Sequence, residues 1–140
     1  MTIKASRNDV WMAVIDDRPG GAAEKLEALG RAGADLEVVL ARRTPEHPGQ
    51  GILFAGPIEG AKAVRAAQEA GFKKSESIHG VRVEGGDKPG LGGKIARSLA
   101  EAGISFRGMQ GCVIGRNFIS FIALDSADDA AKAVKILRKL

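Results

Sequence analysis

The hydrophobic positions of this chain change period repeatedly, and each change marks a new element. "DVWMAVI", beginning at Asp9, is rich enough in β-branched and aromatic residues to predict a strand. Its apolar residues fall on both faces, with Val10, Met12 and Val14 alternating with Trp11, Ala13 and Ile15. After the turn "DDRPGG" the period lengthens to three and four, placing Ala22, Leu26, Leu29 and Ala32 on one helical stripe that Gly33 ends. "DLEVVLARR" returns to alternation, with Leu36, Val38 and Leu40 on one face. "TPEHPGQ" reads as a loop and "GILFAG" as a short strand. Pro57 suits a first helical position, so a helix is predicted from there to Gly71, with Pro57, Ala61 and Val64 on one side.

The order then recurs. "GVRVEG" is a strand, "GGDKPGLGG" a turn, and Leu91, Ile95, Leu99 and Ala102 form a helical stripe. "SFRGMQGCVIG" and "FISFIAL" flank a tight turn at "GRN", and a last helix carries Ala127, Ala131, Val134 and Leu137 on one face. A shift of seventy residues aligns the chain with itself without a gap. Asp17, Pro19 and Gly20 fall on Asp87, Pro89 and Gly90; Leu29, Ala32 and Gly33 fall on Leu99, Ala102 and Gly103. "AKAV" at Ala61 falls on "AKAV" at Ala131. Matches clustered at one constant offset indicate two copies of a module, residues 1–70 and 71–140, split near Ala70 and Gly71.

Each copy reads strand, helix, strand, strand, helix, and a βαββαβ plan needs one more strand. "KKSESI", after Gly71, supplies it for the first copy. Nothing after Leu140 supplies it for the second, but the same shift sets Ile3–Asn8 opposite that segment. Three arrangements stay open at this level. The N-terminal segment closes the second module, each module is permuted, or a partner chain donates the strand.

Composition narrows the class. In 140 residues, 44% hydrophobic content suffices for a packed core, and no apolar run is long enough for a membrane span. "MTIKASRNDVW" has no apolar core of a signal peptide, so a cytoplasmic location is expected. Cys112 is the single cysteine, which excludes an internal disulfide; its apolar strand suggests a small core residue. A net charge of +4 attracts anions only weakly.

An apolar strand, then D-[RK]-P-G, then a helix ending in Ala-Gly about thirteen residues on, resembles the ACT domain family. The motif stands at Asp17–Gly20 and again at Asp87–Gly90, and the resemblance covers essentially the whole chain. It implies an α+β fold of two ferredoxin-like βαββαβ modules, each an antiparallel sheet with both helices on one face. It implies pairing of modules, and allosteric binding of a small ligand, usually an amino acid, near the first turn. Many ligand-binding members carry Asn two residues after the helix-ending Gly. Here those positions are Asp35 and Ser105; both can accept from an ammonium group, but Asp35 repels a carboxylate.

The chemistry of the turn fits that implication. A helix N-terminus offers unpaired N–H groups and the positive end of the dipole, which favour an anion. Gly20, Gly21, Gly90, Gly92 and Gly93 lack side chains and let a ligand approach the backbone, with its carboxylate expected on the amides of Gly20–Gly21 or Gly90–Leu91. Asp17 and Asp87 can accept from an α-amino group, while Arg18 and Lys88 steer the carboxylate; Pro19 and Pro89 rigidify the turns. A structural role explains the same residues, with Asp capping the helix.

Other chemistries find less support. "GLGGK" lacks the phosphate-loop frame, because Ile95 follows Lys94. His47 and His79 lack metal-ligand spacing, and no nucleophile–base pair is suggested. Neither "DLEVVLARR" nor "FISFIALD" has the aromatic run of an RNA-recognition module, and most of the five Phe are expected in the core. The expected protein is an amino-acid-binding regulator with no enzyme activity, cofactor or metal. It acts as a homodimer, joined partly through the two-faced first strand, and on a regulated enzyme or regulator. The alternatives are a pairing module without ligand and, less well supported, a nucleic-acid-binding module.

Overall fold

The computed structural model describes residues 3–140. They form two compact units. One is Val10–Ser75; the other joins the described residues before Val10 to Glu76–Leu140.

In the Val10–Ser75 unit, β2 (Trp11–Asp16) leads through the first turn into α1 (Gly21–Arg31). β3 (Val38–Arg43), β4 (Gln50–Gly56), α2 (Ala61–Glu69) and β5 (Lys73–Lys74) follow. The sheet order is β3-β4-β2-β5, antiparallel throughout. Trp11, Ala13 and Ile15 lie opposite Ala55, Leu53 and Gly51, so they share one face, and there they pack with Leu29, Ala63 and Ala67 of the helices. The apolar residues on β2's other face are less covered: Met12 is half-buried and Val14 is 57% exposed.

The second unit contains β1 (Lys4–Arg7), β6 (His79–Gly86), α3 (Leu91–Glu101), β7 (Phe106–Ile114), β8 (Asn117–Leu124) and α4 (Ala127–Leu137). Its order is β1-β6-β8-β7, again antiparallel. β1 thus stands beside β6 as β5 stands beside β2. Ile3 and Ala5 are buried in the core with Val81, Val83 and Leu137. Gly85 makes room for Ile3, since a Cβ there would collide with the Ile3 side chain. Arg138 Nε donates to the Ala5 carbonyl at 3.0 Å, tying β1 to the end of α4. The architecture is α+β: two four-stranded antiparallel sheets, each packed on one face against two helices.

Four local expectations change. α2 starts at Ala61 rather than Pro57, because Gly60, at φ 87° and ψ 148°, holds a conformation outside the helix, and it buries Ala63 and Ala67 while Ala61 is exposed. On α4 the buried face is Ala130, Ala133, Val134 and Leu137, leaving Ala127 and Ala131 exposed. Cys112 is exposed rather than in the core, because β7 is an edge strand and Cys112 pairs with Ile119 on the face away from the helices. Of the phenylalanines only Phe72, between α2 and β5, is fully buried; the strand phenylalanines are half-buried or exposed.

Candidate functional site

Both motif turns adopt one backbone conformation. Gly20 (φ 90°, ψ −10°) and Gly90 (φ 86°, ψ 0°) are left-handed N-caps of α1 and α3. This explains a glycine in each, since other residues adopt that region at a steric cost. Gly21 is needed for a second reason: a Cβ there would collide with the Asp16 carbonyl. Neither cap uses a side-chain hydrogen bond, so Asp17 and Asp87 do not cap these helices. The structural explanation of the two aspartates fails on this point.

The turn itself uses two of the expected donors. Gly21 N–H donates to the Arg18 carbonyl (3.1 Å) and Leu91 N–H to the Lys88 carbonyl (3.2 Å), so neither is free for a carboxylate. Glu24 and Lys94 close the first helical bonds onto Gly20 and Gly90. Among the described residues, the amides of Ala22, Ala23, Gly92 and Gly93 are left without a partner. A Cβ on Gly92 or Gly93 would meet nothing within 4 Å, so the backbone of the second turn is open to solvent.

The side chains around the two turns differ more than their backbones. At the first turn, Asp17 accepts from Arg43 Nε at 2.9 Å. Arg18 donates to both Glu24 carboxylate oxygens, at 3.0 and 3.1 Å, and lies 3.6 Å from Asp16. Hydrogen bonding to Glu24, and then its charge, hold the Arg18 guanidinium above its ordinary pKa. Every charge at this turn is matched. At the second turn, Asp87, Lys88 and Lys94 are exposed and have no ion pair among the described residues. The shift of seventy gives the cause: Val113 stands where Arg43 does, Lys94 where Glu24 does, and Gly86 where Asp16 does. Arg116 joins this group through its carbonyl, which accepts from Asp87 N–H at 2.9 Å. A free carboxylate beside free helix amides and unpaired cations complements the ammonium and carboxylate of an amino acid.

Asp35 and Ser105 are exposed and follow the C-terminal ends of α1 and α3. The turns lie at the opposite ends. Each helix has 11 residues, a length of about 16 Å at about 1.5 Å per residue. A small amino acid cannot span that distance, so one unit does not bring its own turn and its own Asp35 or Ser105 together. Pro19 and Pro89 are exposed turn residues, and the Pro19 carbonyl accepts from Arg18 Nη1 at 3.3 Å. Arg43 and the amides of Ala22 and Ala23 escaped the sequence reading. The amides follow from counting forward from a Gly N-cap, whereas Arg43 reaches Asp17 only through strand register.

Among the described residues no cluster of three or more His, Cys, Asp or Glu side chains could hold a metal, and no helix is long and apolar enough to cross a membrane. No family model and no curated protein matches the sequence. Solved structures do match. Protein BT0572 from Bacteroides thetaiotaomicron is similar with a TM-score of 0.75 at 18% identity, over 94% of this chain and 88% of that one. The ligand-free regulatory subunit of aspartate kinase from Thermus thermophilus is similar with a TM-score of 0.69 at 17% identity, over 99% and 96%. A structure of aspartokinase alpha and beta subunits gives 0.66 at 18% identity, over 99% and 96%. At these identities the likeness establishes the fold, which is that of regulatory domains of aspartate kinase and agrees with the ACT-like architecture expected.

Proposed function

We propose that this chain is a regulatory protein of two tandem ACT-like modules that binds an amino acid and carries no catalytic step of its own. The observation that carries this reading is the second turn: an unpaired Asp87 stands at the start of a helix whose Gly92 and Gly93 amides are free. The ligand's ammonium group meets Asp87, its carboxylate meets the amides, and Lys88 attracts it electrostatically. Because Asp35 and Ser105 lie a helix length from the turns, a second contact to the ammonium group comes from a module of a second copy of the chain. Ligand binding is thereby coupled to module pairing, and a homodimer supplies such pairs. A ligand that favours one pairing over another shifts the assembly, and the shift is what a regulated enzyme or regulator reads. The turn between Asp17 and Gly21 is the weaker site, because Arg43 already holds Asp17. The fold shared with regulatory subunits of aspartate kinase supports the regulatory reading.

The test is a thermal-shift screen of the twenty amino acids followed by calorimetry. One amino acid should raise the melting temperature of the wild type. Asp87→Ala should abolish its binding heat, and Asp17→Ala should leave most of it. Binding that survives both substitutions places the site elsewhere. If no amino acid binds at millimolar concentration, the pairing module without ligand becomes the better reading. The exposed apolar side chains of Val14, Leu40, Val113 and Ile114 favour that second reading, since pairing would cover them.

A further inference from the structure

Helices α1 and α2 enclose a groove of about 700 Å³ on the Val10–Ser75 unit, floored by alanines. The internal repeat explains why it is open. Ala66 and Ala70 correspond, seventy residues on, to Ile136 and Leu140. The register holds in the fold, because Ala63 and Ala67 are buried as Ala133 and Leu137 are. Ile136 and Leu140 are half-buried and pack against their unit's core. One unit therefore fills these positions with branched aliphatic side chains, and the other leaves methyl groups and empty space. Arg31, Lys62 and Arg65 also line the groove, against a single acid, Glu69. Among the described residues none of the three cations has an ion pair or hydrogen bond. In the other unit, Glu101 stands at the position of Arg31.

We propose that the α1–α2 groove docks an acidic helical segment of a partner protein. The segment sets a Leu or Ile side chain over Ala66 and Ala70, and its carboxylates meet Arg31, Lys62 and Arg65. The aliphatic requirement comes from the side chains that occupy the same place in the other unit. The acidic requirement comes from the unpaired cations. Lys62 and Arg65 are three residues apart on one helix, which suits carboxylates spaced by one turn on a facing helix rather than one small anion. Docking here does not depend on whether the turns bind an amino acid.

A displayed library of random peptides about three helical turns long is selected on the full chain, with Ala66→Ile/Ala70→Leu as the counter-target. Selected peptides should combine Leu or Ile with two or more acids at one-turn spacing. A synthetic winner should lose about tenfold or more in affinity on the filled variant and on Lys62→Glu/Arg65→Glu, and should weaken as salt rises. The filled variant repeats packing that the other unit already uses, and the charge variant alters exposed positions, so both should keep the wild-type circular dichroism. If the filled variant misfolds, the charge variant and the salt series decide alone. Absence of enriched peptides, winners without acids, or affinity unchanged in the charge variant would overturn the proposal. So would light scattering in which the wild type self-associates and the charge variant does not, since the occupant would then be a second copy.

Discussion

Replacing Ile3 by Ala tests the least local feature of the fold. Ile3 is 6% exposed and packs in the core of the unit closed by β1. The substitution removes the Cγ1, Cγ2 and Cδ1 carbons, at about 0.8 kcal/mol each, or about 2.4 kcal/mol of transfer free energy. The vacated space adds a cavity cost, reduced where neighbours relax, and large-to-small core substitutions of this kind cost about 2–5 kcal/mol. Because β1 is an edge strand of four residues, relaxation is easier than in a central strand. We therefore expect about 2–3 kcal/mol, near the low end of that range. For a cooperative unit of this size the melting temperature should fall by about 8 °C or more. Urea denaturation followed by circular dichroism gives the free energy, and hydrogen exchange at Val81 and Val83 reports the unit affected. Lys4→Ala, at an exposed position of the same strand, is the control and should change stability by less than about 0.5 kcal/mol. An Ile3→Ala protein within about 0.5 kcal/mol of the wild type would refute the packing argument. A loss of stability that vanishes at high protein concentration would instead show the strand to come from a partner chain.

Gly21→Ala should destabilise by more than about 1 kcal/mol in thermal denaturation, although Ala favours helices, because its Cβ meets the rigid Asp16 carbonyl. Ser126→Ala removes the side chain that accepts from Asp129 N–H at 3.0 Å and should cost about 1 kcal/mol, measured in urea. Cys112 should react with a thiol reagent in the native protein at the rate of an exposed thiol, whereas slow, unfolding-limited labelling would contradict its position on β7. Arg43→Ala breaks an exposed ion pair and should change stability by less than about 1 kcal/mol. By freeing Asp17 it should also raise the amino-acid stoichiometry seen in calorimetry.

Much of the architecture was legible in the chain. The stripes of α1 and α3 and the paired turns at Asp17–Gly20 and Asp87–Gly90 are written in residues close together in sequence. Helix periodicity and the left-handed region open to glycine act over a few neighbouring residues, so composition and spacing carry the information. The offset of seventy even explains the open groove and the unpaired Asp87, because it shows which residue each copy lacks.

The ligand chemistry of the turns was half legible. Residue types identified Asp87 and the glycines, but the Gly N-cap moved the free amides from Gly21 and Leu91 to the two positions that follow each. The pairing of Asp17 with Arg43 depends on β3, β4 and β2 lying in register. Which strand face the helices cover decided that Cys112 is exposed and that Phe54 and Phe121 lie outside the deep core. The place of β1 beside β6 joins residues that are far apart in the chain. By itself the sequence determined the turns, helices α1 and α3 and the repeat, since these follow from local sterics and periodicity. Only the tertiary structure decided strand partners, covered faces and matched charges, because those free energies arise from segments that meet only after the chain has folded.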